Sequence, residues 1–260
     1  MGVRDTPKLL RAHLLSLFLI LGAVFPAAAS AHHSSGVHHH RGRSKHSVSR
    51  HARKQRHQTR PKTPASTPSP ARALKIRERA ERRAAKQESA SAAATIANVL
   101  ATPCQNTEIT PEPGNIEAAR SAVLCLVNRE RAEHSLAPLK PNAQLETAAE
   151  EHNAEMLQVD YFAHVAPDGE TPVERIKRTG YIASESDGYV IGENLAWGTY
   201  SLATPKAIVE AWIASPGHLA NILESRYTET GIGVTPSVPQ SLGEGNPGAT
   251  YAQEFGVIVK

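Results

Sequence analysis

Hydrophobic residues recur at helical spacing in two long segments near the middle of the chain. In residues 115–134 the apolar side chains follow an i, i+3, i+7, i+8, i+11 spacing, and residues 142–159 repeat that pattern. This period predicts two amphipathic helices, each with one buried face. His152 lies on the apolar stripe of the second helix, which fits a hydrogen-bonded core histidine better than a metal ligand.

Proline and capping residues mark three shorter helices. Thr171-Pro172-Val173-Glu174 has the form of a capping box with proline at the first helical position, and Gly180 follows as the stop. Thr204-Pro205 begins the next helix in the same way. Pro216 disfavours helical geometry at the residue before it, so we expect Ser215 to end that helix and to cap a new turn.

Two β-rich segments close the chain. Residues 232–234 and 251–259 are separated by a stretch rich in Pro, Gly and Ser, and they are typical of an antiparallel pair. Helices first and strands last predict an α+β fold in which helices cover both faces of a small sheet.

The chain divides sharply by charge. Residues 32–86 hold 16 Lys/Arg and two acidic residues, whereas residues 115–260 hold 10 and 19. Residues 32–70 contain almost no large apolar side chains and cannot bury enough surface to offset the entropy of ordering. We therefore expect residues 32–103 to form a disordered basic linker, with at most a marginal, solvated helix at 71–98.

The start of the chain has the features of a secretory signal. Residues 1–31 combine a basic start, an apolar core at 14–25 and the small cleavage sequence Ala29-Ser30-Ala31. We expect cleavage and export, with uncleaved anchoring as the alternative; no later stretch is apolar enough to span a membrane.

Residues 32–57 hold eight histidines. We interpret them as part of a solvated cationic spacer, with adhesion to an anionic surface or adventitious metal capture as alternatives.

Residues 104–260 have the size of one domain with one core. Both cysteines of the chain, Cys104 and Cys125, lie at its start. An even count in an exported chain favours a disulfide, and two separate buried thiols are the alternative. The bridge would close a loop of about 20 residues and contribute roughly 3 kcal/mol.

Four short phrases in the second half of the chain carry the candidate chemistry. They are YFAHVAPDG (161–169), GENLAWG (192–198), EAWIASPGHLANIL (210–223) and YTETGIGV (227–234). Three side chains within them could bind a metal: His164, Glu193 and His218. Two histidines and a carboxylate with an open position suit Zn²⁺, although their wide separation is not a local metal signature. A structural role in a turn is the alternative for each histidine, and a carboxylate bound to backbone N–H groups in a GEN turn is the alternative for Glu193.

These phrases, together with LVNRERAEHSLAPLKPNAQLETAA before them, resemble the bacterial branch of the CAP superfamily. This superfamily is also called SCP-like and includes cysteine-rich secretory proteins, antigen 5 and pathogenesis-related 1 proteins. The resemblance runs from about Ile116 to the C-terminus. It implies a three-layer α-β-α sandwich with a central antiparallel sheet and a wide cleft.

In many members of the superfamily the cleft holds two histidines and two glutamates that can bind a divalent metal. The resemblance places the first pair at His164 and Glu193. The position of the second glutamate is Ser215 in this chain, and His218 is a substitute for the second histidine that we infer from spacing alone. Glu210 could supply a carboxylate, but its helical position points away from the buried stripe.

Fold does not fix function, so the resemblance permits several roles. We expect a secreted or cell-surface binding module without catalytic activity. Its cleft would accept an apolar small molecule, a peptide or a wall component, and its basic tail would contact an anionic envelope. Nucleic acid is disfavoured because the tail lacks interleaved aromatic residues. The alternative is a zinc-assisted hydrolase of peptide or cell-wall substrates with Glu193 as general base. A serine hydrolase is disfavoured because the chain has no G-x-S-x-G motif.

Overall fold

The structure is a computed structural model that describes residues 69–184 and 186–259. The predicted signal segment, residues 1–31, and the histidine-rich part of the linker lie outside these residues. The described chain begins with helix α1 (Pro70–Ala101), which has no buried residues. It carries seven basic and three acidic side chains. The sequence anticipated at most a marginal helix here, and α1 is a full helix whose surface is open to solvent. None of the helices in the described ranges is long and apolar enough to cross a membrane.

The remaining elements form one α+β domain. Its helices are α2 (Ile116–Glu133), α3 (Ala143–Val159), α4 (Pro172–Arg178), α5 (Pro205–Ala214), α6 (Pro216–Ile222) and α7 (Gln240–Gly243), with a 3₁₀ turn at Tyr200–Ala203. Its strands are β1 (Lys140–Pro141), β2 (Gly188–Thr199), β3 (Glu229–Thr235) and β4 (Gly248–Val259). Both long amphipathic helices predicted from the hydrophobic period are confirmed as α2 and α3. The capping box at the start of α4 is also confirmed, since Thr171 and Glu174 bond each other's backbone N–H groups.

The four strands form one sheet in the order β1-β3-β4-β2. Strand β4 pairs antiparallel with both β2 and β3, which confirms the predicted antiparallel pair. The sheet is nevertheless mixed, because the two-residue strand β1 runs parallel to β3. Lys140 N–H donates to the carbonyl of Thr228, and Asn142 N–H donates to that of Thr230 as the chain enters α3. Strand β2 lies at the opposite edge.

Helices cover both faces of this sheet, as a three-layer sandwich requires. One core cluster joins α2, α5 and α6 to alternate residues of β3 and β4, including Ile232, Val234, Tyr251 and Phe255. The other face carries α3 and α4, which pack on Ile191 and Leu195 of β2 and on Ala252 of β4. The period of two along each strand therefore separates the two layers.

Two glycines of the last phrase let α3 approach the sheet closely. A Cβ on Gly231 would overlap the backbone of Leu145 and Glu146, and one on Gly233 would lie 2.6 Å from the carbonyl of Ala149. No side chain fits between this helix and β3. The spacing of G-I-G in the sequence is thus explained by packing rather than by chemistry.

Two further sequence features have structural roles. Cys104 and Cys125 form the predicted disulfide, with a Cα–Cα distance of 5.6 Å. Arg131 of the NRER segment is 1% exposed. Its guanidinium donates to the backbone carbonyls of Ala137, Ile222, Glu224 and Tyr227. This arginine therefore joins the end of α2 to the segment after α6.

Candidate functional site

His164 lies in the loop between α3 and α4. Helix α3 ends at Asp160 in the left-handed region (φ 58°), and a turn at Pro167-Asp168-Gly169 then closes the loop. Gly169 has a φ of 100° and its N–H donates to the carbonyl of Ala166. Asp168 accepts from the N–H of Glu170. This turn fixes the segment that carries the histidine.

Glu193 lies in the middle of the edge strand β2 and not in a turn. The alternative of a carboxylate bound to N–H groups of a GEN turn is therefore wrong, because residues 188–199 continue as one strand paired with β4. The side chain points to the face covered by α3 and α4, the same face as Ile191 and Leu195. Only 2% of its side-chain surface is exposed.

Side chains from the third phrase hold the edge of β2. Asn221 Nδ2 donates to the carbonyl of Glu193 at 3.0 Å, and Trp212 Nε1 donates to that of Leu195 at 3.1 Å. Asn194 Nδ2 donates to the carbonyl of His218 at 3.2 Å. The tryptophan and the asparagine of this phrase thus anchor α5 and α6 on the strand that carries Glu193.

His164, Glu193 and Arg175 form the centre of the site. His164 Nδ1 lies 2.5 Å from Glu193 Oε1. Arg175, which is 1% exposed, lies with Nη2 3.4 Å from Glu193 Oε2, and the same nitrogen donates to the backbone carbonyl of His164. The His164 side chain keeps 24% of its surface exposed. Because Nδ1 faces the buried carboxylate, Nε2 is the nitrogen left for a ligand.

Two more ionisable groups lie beneath this centre. His152 Nε2 lies 3.0 Å from the carbonyl of Ala163, which supports the prediction of a hydrogen-bonded core histidine. Glu254 is fully buried, pairs with Glu193 across β2 and β4, and has Oε1 3.6 Å from Arg175 Nε.

Burial and mutual charge set the protonation of this cluster. Burial lowers the pKa of His152. Burial and the neighbouring charge of Glu193 raise the pKa of Glu254 well above its usual range. For Glu193 burial alone would raise the pKa, but the hydrogen bond from His164 and the charge of Arg175 together lower it. These shifts favour the ionised form of Glu193 beside the cation Arg175, and the neutral forms of His152 and Glu254.

His218 reaches the site from the opposite layer, in the first turn of α6. Burial and the charge of His164 lower the pKa of His218 to about 4, so its ring is neutral at pH 7. Its Nδ1 is buried and has no hydrogen-bond partner among the described residues. Ser215 ends α5 as predicted, but its hydroxyl makes no capping hydrogen bond, so that expectation is wrong. Pro216 at the first position, which itself lacks an N–H, begins α6 instead.

The donor atoms do not fit a metal centre that uses Glu193. Both oxygens of its carboxylate are engaged, one by His164 and one by Arg175. His218 Nδ1 is an available donor. Within the ranges that the structure covers, no group of three His, Cys, Asp or Glu side chains is placed to hold a metal ion. Metal binding by His164, Glu193 and His218 therefore stays a prediction, and the contacts of Glu193 do not support it. Glu210 is exposed on α5, as expected.

Sequence reasoning missed Arg175 and Glu254. Arg175 lies in a short helix beside Lys177 and Arg178 and has no local signal that distinguishes it from a solvated side chain. Glu254 had a signal, since it is the one charged residue inside the largely apolar segment YAQEFGVIV. A strand period of two places it on the face opposite Phe255.

Comparison with known proteins agrees with the sequence motifs. Residues 124–241 match the cysteine-rich secretory protein family, CAP. The chain is 30% identical over 175 residues to the protein YkwD of Bacillus subtilis, a match that covers 67% of this chain and 59% of YkwD. It is 33% identical over 112 residues to the membrane protein YlbC of the same organism, covering 43% of this chain and 30% of YlbC. The chain thus spans less than two thirds of either relative.

Among solved structures, one similar protein is an extracellular protein of Bacillus anthracis that contains an SCP domain. The identity is 25%, the TM-score is 0.44, and the match covers 58% of this chain and 44% of that one.

Proposed function

Because the folded part of this chain belongs to the cysteine-rich secretory protein (CAP) family, we propose that the chain is a secreted or cell-surface binding protein. Its ligand binds between His164 and His218, in the cleft that the family resemblance implies, and is released chemically unchanged. The observation that supports this role is the state of Glu193. Its side chain is 2% exposed and both of its oxygens are engaged within the protein. A general base must reach the proton it removes, directly or through one water, and this carboxylate does not.

The remaining candidate for chemistry in the third phrase is also buried. Ser215 is 5% exposed, and its Oγ has no hydrogen-bond partner in the described part of the chain. No base is therefore positioned to activate this hydroxyl as a nucleophile. The hydrolase alternative gains no support from these two side chains.

The ligand that suits this cleft carries amide or hydroxyl groups. A neutral imidazole offers one N–H donor and one acceptor nitrogen. His218 is neutral at pH 7, and His164 presents Nε2 while Nδ1 is held by Glu193. Uncharged hydrogen-bonding groups match the neutral ring of His218 and the free Nε2 of His164, so a peptide or a wall component fits better than an apolar small molecule.

The basic segment supplies a second, separate contact. Helix α1 exposes its seven basic side chains in its first half, between residues 72 and 86. Such a helix attracts anionic polymers over about a Debye length, and salt weakens the attraction. We propose that α1 and the linker before it hold the protein near an anionic envelope. The relative from Bacillus anthracis is described as extracellular, which agrees with this location.

Co-sedimentation with purified bacterial cell walls tests both contacts. The full chain is compared with a His164→Ala/His218→Ala variant and with a variant in which the seven basic residues of α1 are replaced by glutamine. His134→Ala is the matched control, since that histidine lies at the end of α2 with half of its side chain exposed. We expect the cleft variant to lose saturable binding at high salt, and the α1 variant to keep that binding but to lose part of the salt-sensitive binding. Equal binding by the cleft variant and the control would refute the proposal.

A further inference from the structure

The cleft histidine His164 is held by a buried ion pair. Glu193 contacts its ring nitrogen Nδ1 at 2.5 Å, and Arg175 donates to its backbone carbonyl. Arg175 also lies 3.4 Å from Glu193, so one guanidinium joins the backbone and the ring partner of the same residue. Both charged side chains are at least 98% buried.

We propose that Arg175 and Glu193 are positioning residues that fix the ring of His164, and that Glu193 is not a ligand of any metal in the cleft. Arg175 is the member of the pair that no sequence motif identifies. The proposed positioning goes beyond the binding role, because it concerns the orientation of the His164 ring and which of its nitrogens carries a proton. It holds whatever ligand the cleft takes.

Geometry makes the arginine specific for this task. A guanidinium is planar and can donate from several nitrogens at once, whereas an ammonium is a single point charge on a flexible stem. Nη2 contacts His164 O and Glu193 and lies 3.2 Å from His152 Nε2, while Nε faces Glu254 at 3.6 Å without a hydrogen bond among the described residues. A lysine at this position would keep the charge near Glu193 but would not hold the loop carbonyl as well.

The same contacts argue against Glu193 as a metal ligand. A metal ion would have to displace His164 from one oxygen or Arg175 from the other. Displacing Arg175 would leave a buried cation without its partner, which is strongly unfavourable in a protein interior. The carboxylate therefore stays with the histidine, and its hydrogen bond fixes which ring nitrogen carries the proton.

Nitrogen-15 NMR of the imidazole rings tests this inference directly. The protein is the full chain with its eight tail histidines, residues 32–57, replaced by serine, which removes competing metal sites and leaves five histidines. Arg175→Met and Arg175→Lys are compared with Arg131→Met. Arg131 is also 1% exposed but bonds backbone carbonyls elsewhere, so it controls for loss of a buried arginine. His164→Ala assigns the signal.

We expect a slowly exchanging Nδ1–H proton on His164 in the parent and in Arg131→Met. In both Arg175 variants its exchange with water should be at least tenfold faster; the lysine variant keeps the experiment informative should the methionine variant not fold. Addition of Zn²⁺ should leave the signal in place. The inference is overturned where the Arg175 variants match the parent, where Arg131→Met has an equal effect, or where Zn²⁺ removes the Nδ1–H signal.

Discussion

Replacing Gly192 by alanine should force apart two elements that meet directly behind Glu193. A Cβ at this position would overlap Tyr227 Oη and would lie 3.0 Å from Asn221 Oδ1. The tyrosine cannot swing away easily, because it is 2% exposed and stacks on Phe255 with ring centroids 5.3 Å apart. Overpacking of this kind costs about 1–3 kcal/mol. We expect Gly192→Ala to lower the free energy of unfolding by that amount.

A double-mutant cycle isolates the cause. Tyr227 Oη is buried without a hydrogen-bond partner among the described residues, so Tyr227→Phe alone should be neutral or slightly stabilising. In the Gly192→Ala background, Tyr227→Phe removes the overlap between the new Cβ and Tyr227 Oη. The contacts of that Cβ with Asn221 Oδ1 at 3.0 Å and with the ring carbon Cζ of residue 227 at 3.1 Å remain. We therefore expect the two substitutions to couple favourably by about 1–2 kcal/mol.

Urea unfolding of the full chain and the three variants measures each free energy, with the slope of the transition checked for two-state behaviour. Additivity of the two substitutions within about 0.5 kcal/mol would show that the tyrosine hydroxyl is not the obstacle. It would then refute the explanation of glycine in the GEN phrase as a close-packing residue.

Three further tests address other parts of the fold. Gly231→Ala should lower the free energy of unfolding in urea by about 3 kcal/mol or more, because the added Cβ meets the backbone of α3. Gly114→Ala is the control: it has open space around it and should change this free energy by less than about 1 kcal/mol. Similar losses in both variants would contradict the packing of α3 on β3. The disulfide between Cys104 and Cys125 closes a loop with a sequence separation of 21. Replacing both cysteines by alanine should therefore lower the free energy of unfolding by about 3 kcal/mol. An unchanged urea midpoint would argue against stabilisation by this disulfide. Burial lowers the pKa of His152 in the folded state from its usual value of 6.5. As the pH falls below about 6.5, this histidine is protonated in the unfolded chain before it is protonated in the folded protein, so the free energy of unfolding decreases. His152→Gln should reduce this loss between pH 7.5 and 5, and an unaltered pH profile would show that another group causes it.

The fold was largely accessible from local patterns. The spacing of apolar residues predicts α2 and α3, and the capping residues predict α4 and α5. Both signals can be recognised in the sequence because they depend only on residues within one or two helical turns. Strand β2 was harder to recognise, since GENLAWG contains two glycines and a glutamate that reduce its β-propensity. Its edge is held by Trp212 and Asn221, which follow the residues they contact by 17 and 28 positions.

The candidate site was accessible only in part. The motifs drew attention to His164, Glu193 and His218, but not to the groups that set their state. Arg175 reaches Glu193 across two elements, and Glu254 meets it across a strand pair. Such contacts depend on tertiary structure and leave no spacing in the sequence. The expected capping by Ser215 failed because its side chain is buried and does not reach a backbone N–H of α6.

Binding and turnover measured in the same sample distinguish a binding cleft from an active site. The full chain is incubated with peptidoglycan fragments and with a peptide library, and bound and free ligands are identified by mass spectrometry. We predict saturable binding that is lost in His164→Ala/His218→Ala, and ligands that keep their original mass. Cleavage products that disappear in the same double variant, or in Glu193→Gln, would contradict it and identify the cleft as an active site.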